Sequence, residues 1–353
     1  MRNRLSAILS ACLMLPAAAW SAPSIGVVGP LSGPAAILGE QIRDGAAIAA
    51  GGAADLAIED DLCTAEGGRS AAERLVAADV RIVVGFLCTE SIEAAMPVLA
   101  AAGIPAITVG VRTDSLTDRR LKTGWPVFRL GPRGDSEREA VAEILTQRWR
   151  EELFAIVDDG TIYARELAES LRLAAEQSGL EPVFVDNYRP LMDNQLALVG
   201  RLRRTEATHV FVGGDRDDIA ILGRDAASIG VPITIAGGES LRAAPGEVAL
   251  AVGTLMIGLP EWADEAAPEA IGALAAQNVL AEGYVLPAYA AVEIARAALA
   301  AADAGGDVAA LLAAREFPTA IGAIDFDENG DLARNPFGLF RYDGERFRPV
   351  AAD

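Results

Sequence analysis

The run Gly85-Phe86-Leu87-Cys88-Thr89-Glu90-Ser91 passes from an apolar segment into one with helical spacing. The hydroxyl of Thr89 or Ser91 therefore sits beside first-turn N–H groups that have no helical partner, an arrangement suited to an anion. A plain N-cap role for Thr89 is the other reading, and the sequence leaves both open. Few other residues carry chemistry. There is one histidine, His209, which excludes multi-histidine zinc sites and relays that need a second imidazole. It lies inside Thr208-His209-Val210-Phe211, a strand pattern, and reads as a structural residue. Asp325-Phe326-Asp327-Glu328-Asn329-Gly330-Asp331 has the composition of a calcium loop but neither its spacing nor its terminal glutamate, so a turn between strands is expected. Dinucleotide, P-loop and nucleophile-elbow fingerprints do not occur, and no cofactor or metal is expected.

Cys63 and Cys88 are the pair left once the N-terminus is read as a signal. Residues 1–4 are short and basic, 5–19 are apolar, and Trp20-Ser21-Ala22-Pro23 supplies a small-residue exit. Residues 1–22 are therefore assigned to a secretory signal peptide and excluded from the fold. Leu9-Ser10-Ala11-Cys12 also resembles a lipobox, but the apolar run continues past Cys12, which favours the longer signal over a lipid anchor. In an exported chain, two remaining cysteines are expected to form a disulfide.

With 353 residues there is room for two domains. The chain is 52% hydrophobic and 23% charged, a globular composition. Fifty acidic against thirty basic residues give a formal charge of −20, which disfavours a nucleic-acid partner.

The elements that must position these residues alternate. Strand-like runs at 25–28, 56–59, 81–84, 106–109 and 127–130 are separated by helical patterns at 42–50, 70–78 and 92–101. Gly131-Pro132-Arg133-Gly134 breaks the series. A second series follows, with strands at 154–157, 183–186, 209–212, 233–236 and 254–257 and helices at 137–150, 164–178, 195–203 and 219–229. Two helices at 267–281 and 287–304 and a β-rich end at 321–347 complete the pattern. Such alternation predicts an α/β protein with parallel sheets, whose ligands lie at the carboxyl ends of the strands.

Val28-Gly29-Pro30-Leu31-Ser32-Gly33-Pro34, Asp60-Asp61-Leu62-Cys63, Gly85-Phe86-Leu87-Cys88 and the aspartate-rich run 325–331 occur in an order that resembles the periplasmic leucine/isoleucine/valine-binding proteins. The resemblance covers almost the whole mature chain. It implies a type I periplasmic binding protein with two Rossmann-like lobes joined by three crossings and a ligand cleft between them. On that basis lobe 1 is 23–130 plus 260–337, and lobe 2 is 131–259 plus 338–353.

The family's ligand contacts carry over one position at a time. The ligand carboxylate is expected at Thr89, with Gly110 and Arg112 in the next loop, where Arg112 replaces a family threonine. From the other lobe, Tyr163 and Glu239 are expected to meet the ligand ammonium. Asp215 and Leu38 replace family aromatics, so the side-chain pocket is expected to differ. A guanidinium in the cleft could bind a second carboxylate, or Arg112 could pair internally with Asp215 or Glu239.

The function implied is extracytoplasmic capture of an amino acid or related small carboxylate for an ABC transporter permease, by a non-enzymatic, monomeric periplasmic protein. A sensory receptor without transport and a binder of a non-amino organic acid are alternatives. An enzyme using Glu239 and Asp215 as paired carboxylates finds no other support in the chain.

Overall fold

The computed structural model describes residues 24–52 and 56–351. The segment read as a signal peptide, with Cys12, lies outside the described residues. Strands β1 (Ile25–Gly29), β2 (Leu56–Asp60), β3 (Ile82–Gly85), β4 (Ala106–Thr108) and β5 (Val127–Arg129) form a parallel sheet in the order β2-β1-β3-β4-β5. Strands β6 (Phe154–Asp158), β7 (Phe184–Asn187), β8 (His209–Gly213), β9 (Thr234–Gly237) and β10 (Leu255–Gly258) form a second, in the order β10-β9-β8-β6-β7. A hairpin of β11 (Phe317–Thr319) and β12 (Gly322–Ile324) stands apart, and β13 (Gly338–Tyr342) and β14 (Phe347–Pro349) add an antiparallel edge to the second sheet beside β10. The expected two-sheet α/β architecture is the one observed.

Parallel strands covered on both faces need apolar side chains in both directions. In the first sheet Val27 and Val84 face Ile42, Ala46 and helix Val285–Asp303, while Val28 and Val83 face Ala72, Leu75, Ala95 and Leu99. The second sheet repeats this, with Val157 and Val212 against Leu198, Val199 and Ile219, and Ile156 and Phe211 against Leu145, Leu167 and Leu171. The alanine-rich tract belongs to the core: Ala288, Ala291, Ala295 and Ala298 are buried against the first sheet. Small residues let two helices approach closely there, and a Cβ on Gly45 of helix Ala36–Ala50 would strike the Val285 carbonyl.

Several helix boundaries differ from the spacing: the helix expected at 42–50 spans Ala36–Ala50, and the one expected at 92–101 spans Thr89–Ala101. Helix Ala65–Ala77 begins earlier than 70, because Thr64 Oγ1 accepts from Gly67 N–H at 3.0 Å and caps it. Gly67 and Gly68 argue against a helix in sequence, yet both are required by packing: a Cβ would collide with the carbonyls of Asp61 and Ser91. The helix expected at 267–281 is shorter, Pro268–Ala276. Asn278 takes φ 56°, and Val279 N–H closes the end on the Leu274 carbonyl at 3.0 Å.

The chain passes between the sheets at 130–135, at 259–262 and at 333–337. Loops at the carboxyl ends of both parallel sheets therefore face one another.

Candidate functional site

On the first sheet's side, the site is built from the loops after β2, β3 and β4. Cys63 and Cys88 form a disulfide with Cα atoms 5.3 Å apart, joining the loop after β2 to the N-cap of helix Thr89–Ala101. Buried Asp61 accepts from Cys63 N–H at 3.0 Å and from the Ser91 hydroxyl at 2.5 Å, which fixes the same helix start. Burial, only partly offset by those bonds, holds the Asp61 carboxyl above the usual carboxylate range. Asp60 serves the Ser-Gly-Pro turn by accepting from Leu31 N–H and Leu62 N–H, each at 2.9 Å, and from the Ser32 hydroxyl at 2.5 Å.

Cys88, not Thr89, is the N-cap, and Thr89 is the first helical residue. Its hydroxyl is thus free of a capping role and lies 2.6 Å from the Thr113 hydroxyl. Two threonine hydroxyls beside the orphan N–H groups of a helix start can together hold a carboxylate. Thr113 was not expected from the sequence, because its loop follows a three-residue strand.

That loop is held from behind. The Thr108 hydroxyl donates to the Phe86 carbonyl at 3.1 Å and accepts from Val111 N–H at 3.2 Å. Arg129, fully buried at the end of β5, donates to the carbonyls of Val111 and Thr113, each at 3.0 Å, and so clamps the backbone on either side of Arg112. It also donates to the Thr117 hydroxyl at 2.6 Å and to Asp331 Oδ1 at 2.7 Å. The aspartate-rich run is a turn as expected, but its last carboxylate is a buried partner for Arg129 and Arg133. Gly110 lies under an aromatic ring: a Cβ there would collide with Leu87 and sit 3.0 Å from the Tyr284 ring. Tyr284, the N-cap residue of helix Val285–Asp303, brings an aromatic to this half of the site, where the sequence showed only the loss of one.

On the second sheet's side, Tyr163 lies in the first turn of helix Ile162–Gln177, whose N-cap Thr161 accepts from Ala164 N–H at 3.3 Å. Glu239 begins a short 3₁₀ helix directly after β9. Between them lies Glu137, a residue that sequence reasoning passed over as part of a helix face. Glu137 Oε1 accepts from the Tyr163 hydroxyl at 2.6 Å and from Glu239 N–H at 2.7 Å. Burial pushes the Glu137 carboxyl above its usual range; the bonds from Tyr163 and Glu239 N–H oppose this, the Glu239 charge adds to it, and Arg112 opposes it. Burial and the Glu137 charge push the Tyr163 hydroxyl well above the ordinary phenol value. Asp215 is the N-cap residue of helix Arg216–Ser228, exposed and without a side-chain capping bond. The neighbouring Gly214 carbonyl accepts from the Ser240 hydroxyl at 2.7 Å. Leu38 is partly exposed at the start of helix Ala36–Ala50.

The halves meet where Arg112 Nη1 comes 3.5 Å from Glu239 Oε2. Of the two roles open to Arg112, an internal pair is the one present here, with Glu239 as partner. His209 stands apart from the site, its Nδ1 3.0 Å from the Thr208 hydroxyl and its ring 5.5 Å from that of Trp149.

Two parallel sheets whose polar loops meet at the Arg112–Glu239 contact define a protein of the two-lobe binding-protein class. The chain belongs to the periplasmic binding protein family, whose model matches residues 23–346. It is 31% identical to the Leu/Ile/Val-binding protein homolog 3 of Brucella melitensis over 358 residues, 96% of each chain. Among solved structures it resembles a substrate-binding protein of Desulfitobacterium hafniense in complex with Leu, with TM-score 0.62, 19% identity and coverage of 92% of this chain and 99% of that one. It also resembles a solute-binding protein of Rhodopseudomonas palustris HaA2 in complex with p-hydroxybenzoic acid, with TM-score 0.61, 16% identity and coverage of 92% and 95%.

Proposed function

We propose that this protein is the solute-binding component of an ABC transporter, capturing an amino acid between its two lobes and delivering it to a permease. The observation that carries the reading is the approach of Arg112 to Glu239 at 3.5 Å, which sets a cationic loop of one lobe against an anionic loop of the other. In this reading Thr89, Thr113 and the N–H groups of helix Thr89–Ala101 hold the ligand carboxylate, Gly110 leaves room for it, and Tyr163 and Glu239 hold the ammonium. Arg112 exchanges Glu239 for the ligand, and Asp215 lines the second-lobe lip. Only a closed cleft makes both sets of contacts, so ligand binding favours closure.

The Brucella melitensis relative, named a Leu/Ile/Val-binding protein homolog, supports the transport reading and, with it, a periplasmic site of action after export. A monomer is the simplest state that leaves both lobes free to move. A second reading, a carboxylic acid without an amine, rests on the Arg112 guanidinium, whose fork suits a carboxylate. A thermal-shift screen of the purified protein against the common amino acids and a panel of aromatic and aliphatic acids tests both. A ligand at a hundred times its Kd stabilises by about 2.7 kcal/mol, a readily measured rise in Tm. Amino-acid hits support the first reading, hits confined to acids the second, and no hit refutes solute capture of either kind.

A further inference from the structure

Resting on the solute-binding reading, we propose that Asp114 is a positioning residue, one that ties the loop carrying Arg112 to the first passage between the sheets and so holds the cleft in the conformation in which its halves meet. Asp114 stands at the N-cap position of a short helix, Ser115–Asp118, where an aspartate side chain ordinarily accepts from a first-turn N–H. It makes no such bond. Its Oδ1 accepts instead from Gly134 N–H at 2.8 Å and from Asp135 N–H at 3.4 Å, both in that passage. Gly134 N–H is shared with the Arg112 carbonyl at 2.7 Å, so one donor holds both ends of the segment from Arg112 to Asp114. The approach is close: a Cβ on Gly134 would fall 3.2 Å from Asp114 Oδ1 and 3.3 Å from the Arg112 carbonyl oxygen.

Both sides of this tie are themselves fixed. On the loop side Arg129 holds the Val111 and Thr113 carbonyls, each at 3.0 Å. On the passage side Arg133 donates to Asp135 and to Asp118, each at 2.9 Å, and Asn335 of the third passage donates to the Ser136 carbonyl at 2.7 Å. Helix Ser136–Arg148 starts at that point, and its second residue is Glu137, which accepts from the Tyr163 hydroxyl and Glu239 N–H. Only Asp135 and Ser136 lie between Gly134 and Glu137, so little slack separates the tie from the opposite wall of the cleft. These bonds are made in the conformation that sets Arg112 Nη1 3.5 Å from Glu239 Oε2. A carboxylate holding backbone N–H groups makes stronger bonds than a neutral acceptor does. Swinging the lobes apart about the passages stretches those bonds, and Asp114 thereby slows the opening through which a bound solute leaves.

The test compares wild type, D114A and D114N, with D114S taking the place of D114A if melting curves show that D114A does not fold. L-leucine and 4-hydroxybenzoate serve as probes, their association and dissociation followed by stopped flow, and small-angle X-ray scattering reads the radius of gyration with and without them. D114A is expected to release a bound probe about tenfold faster than wild type at an unchanged association rate, a coupling of ordinary size. Its radius of gyration should exceed that of wild type. D114N keeps an acceptor oxygen in the same place and should stay close to wild type in both readouts. A residue that served stability alone would lower Tm and leave the rates and the radius of the folded protein unchanged. Wild-type dissociation and radius in D114A, or a D114N as impaired as D114A, overturns the role of Asp114 while leaving solute capture intact. If neither probe binds wild type, solute capture fails for these probes, and the scattering comparison without them decides on Asp114, equal radii overturning the proposal.

Discussion

Arg129 and Asp331 form a buried ion pair, Nε to Oδ1 at 2.7 Å, that joins the end of β5 to the aspartate-rich turn before β13. The pair lies behind the loop that carries Arg112, and Arg133, in the first passage between sheets, reaches the same Asp331 at 3.0 Å and Asp118 at 2.9 Å. Asp331→Asn leaves Arg129 charged, buried and without its counter-ion, a loss of about 3–5 kcal/mol in other buried pairs. Urea unfolding should show a lowered midpoint at unchanged slope. Because Arg129 also holds the carbonyls flanking Arg112, the variant should weaken ligand binding even below its melting range. A midpoint equal to wild type would mean that the pair is energetically idle.

The Cys63–Cys88 disulfide closes a segment of 25 residues next to Thr89. Its removal by Cys63→Ser with Cys88→Ser is expected to cost about 3 kcal/mol in the chain-entropy account. Since Cys88 caps the helix that presents Thr89, affinity for a carboxylate ligand should fall as well. Melting curves and titrations with and without reductant separate the two effects.

Gly238→Ala is expected to destroy binding more than stability. The added methyl group meets Glu137 and the Tyr163 hydroxyl, so those side chains must move. Overpacking of this kind costs about 1–3 kcal/mol, while on the proposed reading the displaced Tyr163 no longer meets the ligand ammonium. A variant that binds normally would show that the Glu137–Tyr163 arrangement has room to relax.

Arg112→Gln is expected to change stability little. Its pair with Glu239 is 3.5 Å long and both side chains are partly exposed, 45% and 24%. Pairs of that kind contribute about 0–1 kcal/mol. Affinity should respond more strongly, because the guanidinium pairs with Glu239 and its charge also acts on Glu137. Equal affinities in wild type and variant would remove Arg112 from the site.

The pH dependence of stability should report Glu137. Free glutamate titrates near about 4.3, and burial raises the folded value. The folded protein therefore holds this proton more tightly than the unfolded chain does. The stability associated with it is complete below about pH 4 and is lost as pH rises through the raised folded value. Glu137→Gln cannot ionise, so its Tm should match wild type near pH 4 and exceed it at pH 7. A lower Tm at pH 7 would mean that the bonds from Tyr163 and Glu239 N–H outweigh the burial of the charge.

Much of the architecture was legible in local pattern. Apolar runs of strand length, helical spacing between them, and the break at Gly131-Pro132 define alternating βα units, and alternation by itself calls for parallel sheets covered on both faces. The cysteine pair could be expected from export, and Thr89 from its place at a strand-to-helix turn. The early start of helix Ala65–Ala77 was not legible because Gly67 and Gly68 weaken a helix in isolation, while close packing on Asp61 and Ser91 demands them.

What the tertiary structure alone decided is who meets whom. Glu137 looks like any glutamate on a helix until folding sets it under Tyr163 and Glu239. Arg129 ends an ordinary strand until Asp331 arrives on a segment that returns from the far end of the chain. Thr113 and Tyr284 likewise reach Thr89 and Gly110 of the candidate site from separate loops. Periodicity and turn chemistry act between near neighbours in sequence, so they fix elements. Desolvation, charge pairing and the commitment of a hydroxyl proton act through space, and they take their values only when distant loops are brought to the same cleft.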